Sequence, residues 1–135
     1  MMTFLLPFTL AVAMPERAPQ EALPPQDWSA LPQLALRRPA DPTAAMSAYV
    51  HQEVLRGRCA SATRTPAGWT LPVDIAVLAS ADGAIRRVVP RAIHCPTVEQ
   101  YAAGLVFSGA RDNVDLPASV GDRWYRTRLI FAWDP

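Results

Sequence analysis

Cys59, His94 and Cys95 are the residues whose types and spacing most invite a chemical reading. A Cys–His nucleophile needs its base within reach and a third group to orient that base. Neighbours on an extended chain point to opposite faces, so His94 should aim away from Cys95. A zinc site would need further ligands at short spacing, and the pair lacks them. In an exported chain an even pair of cysteines reads as one disulfide, Cys59–Cys95, the alternative being two unrelated buried thiols. Closing that loop should stabilise the fold by roughly 4 kcal/mol in the chain-entropy model. Asp112, Asp115 and Asp122 share one polar loop but not calcium-loop spacing, and read as solvated acids. No spaced carboxylate pair is recognisable, so the expectation is a chain that is not an enzyme, with no cofactor and no metal.

Charge narrows the partners. All 13 basic residues are arginine, and 12 acids leave a net charge of +1. Such a balance provides no general field for nucleic acid or anionic lipid. Residues 1–13, MMTFLLPFTLAVA, resemble a short secretion signal, with an apolar run followed by Ala11-Val12-Ala13 and cleavage expected after Ala13. An apolar N-terminal helix or a disordered start is the alternative. The run is too short to cross a hydrocarbon core about 30 Å thick, so no stable membrane insertion is expected. The resulting address is the bacterial periplasm or the exterior.

Eight of the 14 prolines fall in the first 42 residues. Residues 14–41 therefore read as a Pro-rich linker, largely disordered, extended and mobile, because proline forbids both a continuous helix and a central strand. Trp28, Leu31, Leu34 and Leu36 are the exception, an apolar patch able to dock on the domain or on a partner, the alternative being a few sticky residues in a disordered tail.

The elements that would position any site occupy residues 42–135. Asp41 is a suitable N-cap and Pro42 a suitable first helical residue, followed by a stripe of Met46, Tyr49, Val50 and Val54 that should end near Gly57. His51 lies off that stripe and should face solvent. Residues 70–79 alternate apolar and polar, Asp82-Gly83 supplies a turn, and residues 85–93 alternate again: a hairpin. With a two-residue loop, paired positions place Val77 opposite Val88 inside and Asp74 opposite Arg91 outside. That register asks residue 90 for a hydrogen bond that Pro90 cannot donate, so the ladder should end or bulge there. Pro96-Thr97 opens a second helix, with Thr97 and Gln100 in capping-box spacing and Val98, Tyr101, Ala102, Leu105 and Val106 as the buried stripe. Residues 112–123 form a loop. Residues 124–133 make a last strand with Tyr125, Thr127, Leu129, Phe131 and Trp133 on one face.

The fold class is therefore α+β: a small two-layer domain in the order helix-strand-strand-helix-strand. Antiparallel pairing outnumbers parallel, which favours a three-stranded antiparallel sheet of order 2-1-3 with both helices on one face and both outer edges open.

The run VDIAVLASADGAIRRVVPRAIHCPTVEQYAAGLVFSGARDN, followed by WYRTRLIFAW, resembles the TonB C-terminal domain pattern: strand, Asp-Gly turn, strand, Ala-rich helix, apolar last strand. The likeness covers about the last 65 residues, or about 90 with the first helix. It implies a periplasmic domain behind a Pro-rich spacer, which captures an extended peptide of an outer-membrane transporter as an added strand on its last strand. Carried onto this chain, the partner-binding residues would be Trp124, Tyr125, Arg126, Thr127 and Arg128. The family's membrane anchor and aromatic-Pro motif are not evident, so the resemblance points to a soluble periplasmic relative that binds a peptide or protein. Two other readings stand beside it: a homodimeric structural envelope protein in which the same edge pairs with its own copy, and a small hydrolase-type enzyme.

Overall fold

The computed structural model describes residues 23–115 and 121–135; the secretion-signal reading of residues 1–13 lies outside them. The elements run α1 (Ala44–Leu55), β1 (Thr63–Thr65), β2 (Gly68–Ala79), β3 (Ile85–Pro90), α2 (Pro96–Ala110) and β4 (Arg123–Trp133). β2 is the central strand, antiparallel to β4 along one side and to β3 on the other. The expected α+β class and the flanking of the first hairpin strand by the second and the last are what is found. The sheet has four strands rather than three, because β1 adds Thr63–Thr65 beside Gly68–Thr70. Among the described residues no helix is long and apolar enough to cross a membrane.

Alternation explains the layers. Leu71, Val73, Ile75 and Val77 of β2 are fully buried, and with Tyr125, Leu129 and Phe131 of β4 they meet Val50 of α1 and Val98, Ala102 and Val106 of α2. Both helices thus cover one sheet face. The opposite face carries Asp74, Arg91, Arg126 and Arg128.

The hairpin corrects one expectation and explains its proline. Ser80 N–H donates to the Ala84 carbonyl at 2.9 Å and Gly83 N–H to the Ser80 carbonyl at 2.9 Å, so the loop holds three residues, not two. Gly83 takes φ +84°, a left-handed conformation glycine adopts without strain. Ala79 pairs with Ile85 and Leu78 with Arg87, leaving Arg86 as one extra residue. Beyond this bulge the expected pairs return, Val77 with Val88 and Ile75 with Pro90, but the hydrogen-bond phase has shifted. Arg91 N–H donates to the Asp74 carbonyl at 2.8 Å, so position 90 turns its nitrogen away from β2 and Pro90 loses nothing. The strand ends at Pro90, as that proline leads one to expect, and His94 adopts φ 59° outside any strand.

Helix starts also differ from expectation. Thr43, not Asp41, caps α1: its Oγ1 accepts from Met46 N–H at 3.3 Å while the Met46 sulfur accepts from Thr43 N–H at 3.4 Å. The buried face of α1 is Ser47, Val50 and Glu53, which leaves Tyr49 41 % exposed with its ring tilted against that of Tyr101 at 4.3 Å. His51 is half-buried and stacks on Trp133 at 5.0 Å. At α2 the N-cap is Cys95, and Glu99 accepts from Cys95 N–H at 2.8 Å and Ile93 N–H at 3.2 Å. Thr97 lies inside the helix and its hydroxyl goes elsewhere.

Cys59 and Cys95 form a disulfide across 36 positions, tying the chain just after α1 to the cap of α2. Beside it Glu53 is 1 % exposed. Its carboxylate accepts from Thr97 Oγ1 at 2.7 Å and faces the guanidinium groups of Arg56 at 3.3 Å and Arg58 at 3.6 Å. The Thr97 hydroxyl, aided by Arg58 and Arg56 and opposed by burial, holds Glu53 below its ordinary value of 4.5. The folded state therefore takes up this proton less readily than the unfolded chain. Its contribution is complete at neutral pH and is lost as pH falls through 4.5 and below. Urea titrations at successive pH values should show stability falling over that acid range more steeply than in a Glu53→Gln variant; parallel pH profiles for the two proteins would contradict this.

Candidate functional site

β4 presents the side of its backbone that does not pair with β2. Arg126 N–H donates to the Pro32 carbonyl at 2.9 Å, and the Arg126 carbonyl accepts from Leu34 N–H at 2.8 Å, with Gln33 and Arg126 in parallel register. Strand alternation then directs the amides of Arg128, Ile130 and Ala132 outward as well. Ala132 N–H reaches Ser47 Oγ at 3.1 Å. The same phase accounts for Pro72: it sits opposite Ile130, where the missing donor points away from β4, into the interval between β1 and β3.

The edge expected to be open is thus partly occupied by the segment expected to be linker. The reason is Leu34, 5 % exposed within the main core. Burying one leucine is worth about 1.5–3 kcal/mol, enough to hold a short extended segment whose backbone is also paired. Downstream, Leu36 bridges Val114, Arg37 N–H donates to the Asn113 carbonyl at 2.9 Å, and Asp115 N–H donates to the Ala35 carbonyl at 2.9 Å. The buried Asn113 side chain closes the clamp. Its Oδ1 accepts from Arg38 N–H at 2.8 Å, and its Nδ2 donates to the carbonyls of Arg38 at 2.8 Å and Gly109 at 2.9 Å.

Of the five residues placed at the site by sequence, three face the edge and two do not. Tyr125 and Thr127 point inward and spend their backbone on β2, opposite Val77 and Ile75; Tyr125 is 9 % exposed. Trp124, Arg126 and Arg128 share the outer face with Ile130, which is 52 % exposed. The Trp124 Nε1–H is buried without a hydrogen-bond partner among the described residues.

Sequence reasoning left Trp28 and Arg91 out of the site. Trp28 packs its ring on the Arg91 guanidinium at 4.3 Å, a cation–π contact that folds the segment over the outer sheet face. Between segment and sheet lies a groove of about 490 Å³, lined by Trp28, Gln33, Asp74, Arg91, Arg126 and Arg128. Arg128 pairs with Asp74 through Nε at 2.6 Å and Nη2 at 3.3 Å, and this partner raises the guanidinium pKa further. Asp27 is held below its ordinary value, first by the Ser29 hydroxyl and only last by Arg91. No family model, curated protein or solved structure matches the chain. Function must be argued from the edge and groove themselves.

The remaining candidates are dispersed. Both thiols are consumed in the disulfide. Asp122 pairs with Arg86 at 3.7 Å, Asp112 lies in a separate depression beside the hairpin turn, and no group of three metal-ligating side chains occurs among the described residues. What the edge can do chemically is donate and accept backbone hydrogen bonds in a fixed register, with arginines beside it.

Proposed function

We propose that this chain is an exported protein-binding module of the TonB C-terminal kind, which captures an extended peptide by strand addition at β4. The observation that carries the reading is the double hydrogen bond of Arg126 to Pro32 and Leu34. An extended segment outside the sheet already sits on this edge as an added strand would, with backbone bonds for affinity and a side-chain pocket for Leu34. Export is supported by the disulfide, which persists in oxidising compartments. The partner would be a peptide segment of another envelope protein, such as an outer-membrane transporter.

The chain supplies its own probe. In a full-length Leu34→Gln variant the resident segment loses its buried anchor. An eight-residue peptide copying residues 30–37 should then bind in trans and restore slow amide exchange at Arg126. Failure of the peptide to perturb Trp124 to Ile130 in that variant would sink the reading.

The homodimer alternative uses the same contact, because residues 32–34 of one copy could dock on β4 of a second. Light scattering on the full chain separates the two: a dimer independent of concentration favours the alternative.

A further inference from the structure

We propose that the segment captured at β4 is acidic, with carboxylate side chains at alternate positions that face Arg126 and Arg128. This deepens the strand-addition reading and rests on it.

The outer sheet face is organised in rows across the strands. One row runs Arg91, Asp74, Arg128, and the next runs Val89, Ala76, Arg126. The first row holds two cations to one acid, and that acid is already bonded to Arg128. The second row holds a cation with no acid, and Arg126 has no ion pair among the described residues. The groove therefore carries a positive excess on a protein whose net charge is only +1.

The resident segment brings Asp27 toward Arg91 but leaves Arg126 without an acid. Paired residues of a parallel ladder project to the same face, so Gln33 stands beside Arg126 on the outer face while Leu34 enters the core. The bridge is isolated, and the chain then turns to the Asn113 side, with the Ala35 carbonyl accepting from Asp115 N–H, so no residue of the described segment pairs with Arg128. A neutral amide thus stands beside Arg126, and no acid of the described segment forms an ion pair with either arginine. Neighbouring side chains on paired strands lie about 5 Å apart, and positions two residues along one strand about 7 Å apart. A guest with acids at alternate positions would meet Arg126 and Arg128 together. Arginine's planar fork suits this contact, since it can bind a carboxylate through two parallel hydrogen bonds. The resident segment would then be a placeholder, held by Leu34 but lacking the charge that the site selects.

The test uses the full-length Leu34→Gln variant and two fluorescent eight-residue peptides. One copies residues 30–37; the other carries glutamate at the positions of Gln33 and Ala35. The acidic peptide should bind about tenfold more tightly at low ionic strength, with the advantage shrinking as salt screens exposed charge. Adding Arg126→Gln to the protein should remove most of that advantage. Within the otherwise unaltered chain, Gln33→Glu should slow amide exchange at Arg126. Equal affinities for the two peptides would overturn the acidic preference and leave strand addition standing. Binding of neither peptide would overturn both. Displacement of the acidic peptide by heparin at equal charge concentration would also overturn the proposal, because charge without a strand backbone would then suffice.

Discussion

A Cys59→Ala/Cys95→Ala protein should lose about 4 kcal/mol of unfolding free energy, because the bridge closes 36 positions of chain and an open loop of that length gains entropy of this size when unfolded. Domains of this size have about 5–15 kcal/mol in total, so the loss takes a large share. Its origin lies in the denatured ensemble. The loop contains β1, β2 and β3 entire, which are ordered by the sheet and not by the bridge. Local bonds also flank each cysteine: Ser61 Oγ donates to the Ile93 carbonyl at 2.6 Å, and Glu99 accepts from the Cys95 amide. The variant should therefore keep native circular dichroism at low denaturant while its urea midpoint falls by roughly 2–4 M, at a slope of about 1–2 kcal/mol/M. A midpoint within about 0.5 M of the parent would show that the bridge restrains little.

The second large effect concerns occupancy of β4. Leu34→Gln should expose the Arg126 amide to exchange while leaving the Leu129 amide, which faces β2, as protected as before. If the resident segment competes with a guest, removing the leucine's burial of about 1.5–3 kcal/mol should raise guest affinity by about ten- to a hundredfold, since the binding-competent fraction rises by that factor. Titration of one peptide into both proteins measures it. Equal affinities would mean that residues 32–34 do not obstruct the guest, and exchange at Arg126 would then report on the segment alone.

Where a residue's role is set by its neighbours in the chain, the sequence was legible. The alternation from Leu71 to Ala79 and from Tyr125 to Trp133 places every inward side chain correctly, because a half-buried strand has a period of two. Asp74 opposite an arginine survives as well, with Arg128 as the bonded partner on one side and Arg91 on the other. What failed depends on contacts made far along the chain. Thr-Arg-Thr at 63–65 has no apolar rhythm, and β1 exists because Pro66-Ala67 turns the chain into Gly68. There a side chain would collide with the Trp133 carbonyl oxygen. Asp41 and Thr43 are both good caps by type, and the Met46 sulfur decides between them. Leu34 was one of four apolar inclusions in a proline-rich stretch, and nothing local shows that it alone among them is fully buried. Of the site, Arg126 and Arg128 were visible by strand parity, whereas Trp28 and Arg91 join it only because the segment folds back.

The Asn113 clamp gives the arm a pivot. Residues 35–38 are fastened to Asn113 and Val114 independently of what residues 32–34 do. An arm displaced from β4 would therefore stay tethered to the domain, within a few residues' reach of the vacated strand. If β4 takes a guest, its release would be followed by intramolecular recapture at a local concentration in the millimolar range, typical of a short tether. With residues 32–34 bonded at Arg126, that part of the β4 edge is not free to template stacking of one copy on another.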